Sequence, residues 1–109
     1  MDNCLFCRIV NREIPSRIVY EDDLVLGFND IEPQAPVHVL LIPKVHVASI
    51  NDVGKEHGEL IAHLTSVVPQ VADKMGIKDS GYRVVVNCGK DGGQTVSHLH
   101  YHILGGKTL

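Results

Sequence analysis

Ser97-His98-Leu99-His100-Tyr101-His102-Ile103-Leu104 alternates imidazole with apolar or aromatic side chains over its central positions. Successive side chains of a strand point to opposite faces, so this spacing predicts a strand over 98–104. His98, His100 and His102 then share one surface, and Leu99, Tyr101 and Ile103 face a core. At about 3.3 Å per residue the first and third histidines stand roughly 13 Å apart, too far for all three to converge on one ion. Three imidazoles in register can form a solvated strand face or a metal-binding tract. They also suit two-step transfer at phosphorus, because a neutral imidazole is both a nucleophile near pH 7 and a good leaving group once protonated.

Working outward, Gly89-Lys90-Asp91-Gly92-Gly93-Gln94-Thr95 leads into this segment. A glycine-rich loop of this kind either makes a tight turn or cradles a phosphate with its backbone donors. It lacks the Gly-Lys-Ser/Thr ending of a Walker A loop. Further upstream, Leu60, Ile61, Leu64, Val67, Val68, Val71 and Met75 recur at helical spacing. Asn51 and Asp52 are candidate caps for this helix, Gly76 is its stop, and Pro69 inside it predicts a kink or break. Ile18-Val19-Tyr20 and Leu24-Val25-Leu26 read as a hairpin across Asp22-Asp23, and Val37–Ile42 as a strand bounded by Pro36 and Pro43. With a strand over 82–87 and a short helix from Cys4 to about Asn11, the pattern is α+β: five mostly antiparallel strands, one long helix and one short one.

The 109 residues suffice for one domain, read as 1–109. Their 44% hydrophobic and 21% charged residues are ordinary for a globular chain, and the net charge of −3 offers no basic stripe for long nucleic acid. No apolar run reaches membrane length, and Met1-Asp2-Asn3-Cys4 does not resemble a secretion leader. Three cysteines make no disulfide framework. A cytoplasmic protein without membrane contact is expected. Cys4-x-x-Cys7 alone is open between a metal site, a redox pair and two small core residues. His57 and His63 are read as surface residues of the long helix, and Cys88 has no assigned role.

The stretch Gly92–Gly106, together with Asn29–Lys44, resembles the signature segments of the histidine triad (HIT) family, and the resemblance spans essentially the whole chain. It implies the HIT-like fold, with His100 as the nucleophile that forms a nucleotidyl-histidine. His102 would hydrogen-bond the phosphate, His38 would belong to the proton network behind the nucleophile, and His98 would support that network or bind metal. Asp30 would accept from the ribose hydroxyls, and Phe6, Ile9, Phe28, Asn29, Ile31 and Leu40 would line the purine pocket. Asn87, Gly93, Gln94 and Thr95 would surround the phosphate and leaving group. In similar chains with this cysteine pair, zinc is held by residues matching Cys4, Cys7, His46 and His98, which implies a structural Zn²⁺ here.

Nucleotidyltransferase relatives carry Gln where this chain has His102, so hydrolysis is implied. Asn87 and Gly105-Gly106 resemble the nucleoside phosphoramidase branch, which implies P–N cleavage of purine nucleoside 5′-phosphoramidates to nucleoside monophosphate and amine. Mg²⁺ is not formally required by a neutral nucleophile. Alternatives are a dinucleoside polyphosphate hydrolase on the same fold and a low-turnover nucleotide-binding regulatory protein. A homodimer is also implied. The sequence ends at Lys107-Thr108-Leu109, whereas many relatives continue in a tail that reaches the neighbouring subunit's site, so leaving-group preference is an open expectation.

Overall fold

A computed structural model describes residues 3–109. Helix α1 (Leu5–Val10) is capped by Cys4, whose Sγ accepts from the Cys7 N–H, and it buries Phe6, Cys7 and Ile9. Strands β1 (Ile18–Glu21) and β2 (Val25–Asn29) form the expected hairpin. Its turn is organised by Asp22, whose Oδ1 accepts from the N–H groups of Leu24 and Val25. Then come β3 (Val37–Pro43), α2 (Gly58–Lys74), β4 (Tyr82–Val85) and β5 (Tyr101–Gly105). The sheet order is β1-β2-β3-β5-β4 with every pairing antiparallel, so the α+β architecture is as the sequence predicts.

Side-chain parity divides the interior in two. Val39 and Leu41 of β3, with Leu99, Tyr101 and Ile103, pack against Leu64, Val67 and Val71 of α2. Leu40 and Ile42 point the other way and join Leu26 and Phe28 beneath Phe6 and Ile9 of α1. The histidines share this second face. It is therefore a covered face and not a solvated one: His98 and His100 are buried, and His102 is half-buried.

Four expectations are corrected. Only His102 of the three alternating histidines lies in a strand, because β5 begins at Tyr101. Past Leu41 the ladder to β3 ends; Pro43 has no N–H to offer and Leu99 donates instead to the Val47 carbonyl at 2.7 Å. Likewise β4 stops at Val85, short of Asn87. Asn51 and Asp52 do not cap α2. They sit in a separate 3-10 turn (Ile50–Asp52) capped by Ser49, and a second turn (Lys55–His57) intervenes before the helix begins at Gly58. Finally, of the kink or break expected at Pro69 the break does not occur, and α2 continues as one helix: Leu64, Val67, Val68, Val71 and Ala72 anchor the turns on both sides of it to the core while Pro69 itself faces solvent. Gly76, at φ +75°, ends the helix region as predicted. No helix among the described residues is long and apolar enough to cross a membrane.

Candidate active site

Three main-chain groups decide what each imidazole can do. A neutral imidazole has one N–H and one lone pair, and a carbonyl can only accept while an amide N–H can only donate. His100 Nδ1 lies 2.6 Å from the carbonyl of His98, so its proton sits on Nδ1 and the Nε2 lone pair is free. His98 Nε2 lies 2.8 Å from the Pro43 carbonyl, which puts its proton on Nε2 and turns the Nδ1 lone pair toward the cysteines. His38 Nδ1 receives the Gln34 N–H at 3.1 Å, and its Nε2 faces His102 Nδ1 at 2.9 Å.

The freed Nε2 of His100 belongs to a ring that stands edge-on to Phe6, with centroids 5.1 Å apart, and to His102 at 5.0 Å. Around it is a cavity of about 280 Å³ whose walls include Phe6, Ile9, Phe28, Asn29, Asp30, Ile31, Leu40, Thr95, His100 and His102. Leu5, Ile14, Pro15, Ser16 and Val96 complete much of that wall. No sequence spacing marks them, because they arrive from α1, the segment after it and the loop before β5. Ile31 stands 93% exposed at this pocket. Apolar walls with a few converging polar groups are the usual make-up of a small-ligand site.

Both rings of the relay are held neutral. Burial lowers the His38 pKa against the opposing pull of Asp30, whose Oδ2 is 3.5 Å from His38 Nε2. Burial first, then His100 and His38, takes His102 down to about 4.

Among the described residues, two groups of donor atoms lie within an ion's reach of one another: Cys4, Cys7, His46 and His98; and Asp30, His38 and His102. In the first, His98 Nδ1 is 3.2 Å from His46 Nδ1, 3.4 Å from Cys4 Sγ and 3.5 Å from Cys7 Sγ, with Cys7 Sγ 3.3 Å from His46 Nδ1. Tetrahedral zinc with sulfur and nitrogen ligands has edges of about 3.3–3.8 Å, so the donor set fits such an ion. Burial and the neighbouring Cys4 push the Cys7 thiol up to about 11, and a cation at the centre reverses that by favouring thiolate. The second group fits poorly. A metal on His38 Nε2 would move the proton to Nδ1, against the Gln34 N–H that already points at it.

The whole chain can now be set beside known proteins. A HIT domain family model matches residues 11–109. The purine nucleoside phosphoramidase of Escherichia coli (strain K12) is 45% identical over 108 residues, covering 99% of this chain and 91% of the relative. A crystal structure of a HIT family hydrolase from Legionella pneumophila Philadelphia 1 superposes with a TM-score of 0.95 at 48% identity, covering 97% of this chain and 95% of that one. A histidine triad protein from Clostridium difficile gives 0.95 at 51% identity, with 100% and 94% covered. This chain belongs to the histidine triad family.

Within this HIT fold the remaining residues singled out from the sequence are distributed unevenly. Asn87 and Gly93 border a second cavity, of about 560 Å³, on the side of His102 that faces Arg83. Asn87 Nδ2 donates to the Gly92 carbonyl, and a Cβ on Gly92 would come within 2.3 Å of the Cys88 carbonyl oxygen, so the loop closes only with glycine there. Gln94 braces the loop: its amide donates to the Ala48 and Val96 carbonyls while its Oε1 accepts from the Gly89 N–H. His57 and His63 are both partly exposed, and each has a partner. His57 precedes α2 and accepts from the Gly54 N–H, and His63 Nε2 reaches Asp22 Oδ2 at 2.6 Å.

Proposed function

We propose that this HIT protein hydrolyses purine nucleoside 5′-phosphoramidates through a nucleotidyl-histidine on His100. The observation that carries the reading is the free Nε2 lone pair of His100, held by the His98 carbonyl beside an apolar pocket that also contains Asp30 and His102. The purine would lie among Phe6, Ile9, Phe28, Ile31 and Leu40, with Asn29 beside them, and the ribose hydroxyls would donate to Asp30. In the first step His100 Nε2 bonds to phosphorus and the P–N bond breaks as the leaving nitrogen takes up a proton from solvent. His100 Nδ1–H, donating to the His98 carbonyl, stabilises the imidazolium that forms. Water then attacks phosphorus and gives up one proton to solvent, the bond from phosphorus to Nε2 breaks, His100 returns to neutral imidazole, and nucleoside monophosphate leaves. His102 and Thr95 are the polar groups placed to meet the phosphoryl oxygens, with Asn87 and Gly93 on the leaving-group side.

Cys4, Cys7, His46 and His98 would hold a structural zinc; the closed four-donor set leaves no position for a substrate or water. That β4 ends the sheet, with Val84 41% exposed, supports the implied homodimer.

Mass spectrometry of protein quenched during turnover of an adenosine phosphoramidate tests the central step. A nucleotidyl adduct mapping to His100, absent from His100→Ala, is the expected result. Product release without dependence on His100 overturns the proposal. Release of monophosphate from a dinucleoside polyphosphate, but not from a phosphoramidate, would move the assignment to polyphosphate hydrolysis.

A further inference from the structure

The hydrogen-bond chain from His102 through His38 ends on a main-chain group, the N–H of Gln34, to which the sequence reading gave no role. Gln34 lies in the connection between β2 and β3, two residues before Pro36, and its N–H points at His38 Nδ1 at 3.1 Å. An amide N–H cannot accept, so His38 Nδ1 must carry the lone pair and the ring's single proton must sit on Nε2. That Nε2–H faces His102 Nδ1 at 2.9 Å, which makes His102 Nδ1 the acceptor and puts the His102 proton on Nε2 in turn. Asp30 Oδ2, 3.5 Å from His38 Nε2, is too distant to replace His102 as the acceptor but sits where it favours the polarity of that N–H. One main-chain donor therefore orders two rings. His38 is 3% exposed, so its ring is held by these protein partners.

We propose that the main-chain N–H of Gln34 is a positioning group that fixes His38, and through it His102, as Nε2–H tautomers, so that His102 offers the substrate a hydrogen-bond donor. In the opposite tautomers His102 would present a lone pair to a phosphoryl oxygen and repel it. The consequence for turnover rests on the phosphoramidase reading; the tautomers themselves do not. The side chain of Gln34 has no part in this, which is why a sequence comparison of side chains would pass it over.

The test is a long-range ¹H–¹⁵N correlation spectrum of the histidine rings in the intact protein near pH 7.5, assigned with His38→Gln and His102→Gln. Nε2–H patterns for both His38 and His102 are expected, and an Nδ1–H pattern for His38 overturns the proposal whatever the activity. Gln34→Pro, which removes the N–H while also fixing φ and deleting the side chain, should mix the His38 tautomers and lower kcat for an adenosine phosphoramidate by at least about tenfold, with a smaller change in KM. Gln34→Ala retains the N–H and should keep the native ring pattern. A native ring pattern in folded Gln34→Pro also overturns the proposal; should that variant fail to fold, the native spectrum decides alone. A native protein with the expected tautomers but no phosphoramidase activity would sink the functional reading and leave this one standing.

Discussion

The two polar clusters beneath α1 look alike in composition and differ in where their protons sit. Around His98 four potential ligand atoms converge, and the Pro43 carbonyl takes the one ring proton of His98, so its Nδ1 lone pair faces them. Around His38 the Gln34 N–H forces the opposite arrangement, so the rings alternate donor and acceptor and form a chain. Converging ligand atoms suit a metal ion; alternating donors and acceptors suit a relay. One main-chain carbonyl and one main-chain amide are enough to give the two clusters these different patterns.

The comparison breaks most directly by truncating one ring from each cluster. His98→Ala removes a fully buried side chain, its bond to Pro43 and the shared member of the four-donor set, and should cost about 3–5 kcal/mol in urea unfolding. His102→Ala, on a half-buried ring, should cost roughly 1–2 kcal/mol. Equal losses would mean that the two clusters do the same structural work. Metal titration sharpens the difference. One zinc per chain is expected, lost in Cys7→Ser and retained in His38→Gln, and at a hundredfold excess over Kd it should stabilise the fold by about 2.7 kcal/mol. Two ions per chain would show that the relay also binds metal.

Acid should act on the relay more gently. The unfolded chain carries a proton on His102 up to about pH 6.5 and the folded chain only below about 4, so unfolding takes up a proton between those values and acid favours it. Stability present above pH 6.5 is therefore lost as pH falls toward 4, by on the order of 1–2 kcal/mol after discounting for the partial exposure of the ring. Chemical denaturation at pH 7 and pH 4.5 should show this slope in the native protein and a shallower one in His102→Gln. Parallel slopes would remove His102 as its source.

Much of this was legible in residue order. The alternation from His98 to Leu104 correctly separates the α2 face from the histidine face even though two of the three histidines lie outside the strand, because the alternation of side-chain direction extends past the last ladder hydrogen bond. Phe6, Ile9, Phe28 and Leu40 fall on one pocket wall as read. The start of α2 was misread because Asn51 and Asp52 have capping chemistry that a 3-10 turn uses equally well. His63 lies on α2 as read, but its partner was not legible, because Asp22 lies 41 residues away in a turn that local pattern treats only as a turn.

The sequence by itself determined the parity of the strands, the α+β class and the family, since these rest on side-chain identity and on periods of two and 3.6 residues. Only the tertiary structure decided which nitrogen of each histidine is free. That choice depends on the carbonyls of His98 and Pro43 and the N–H of Gln34, and main-chain groups are the same in every sequence until the fold aims them.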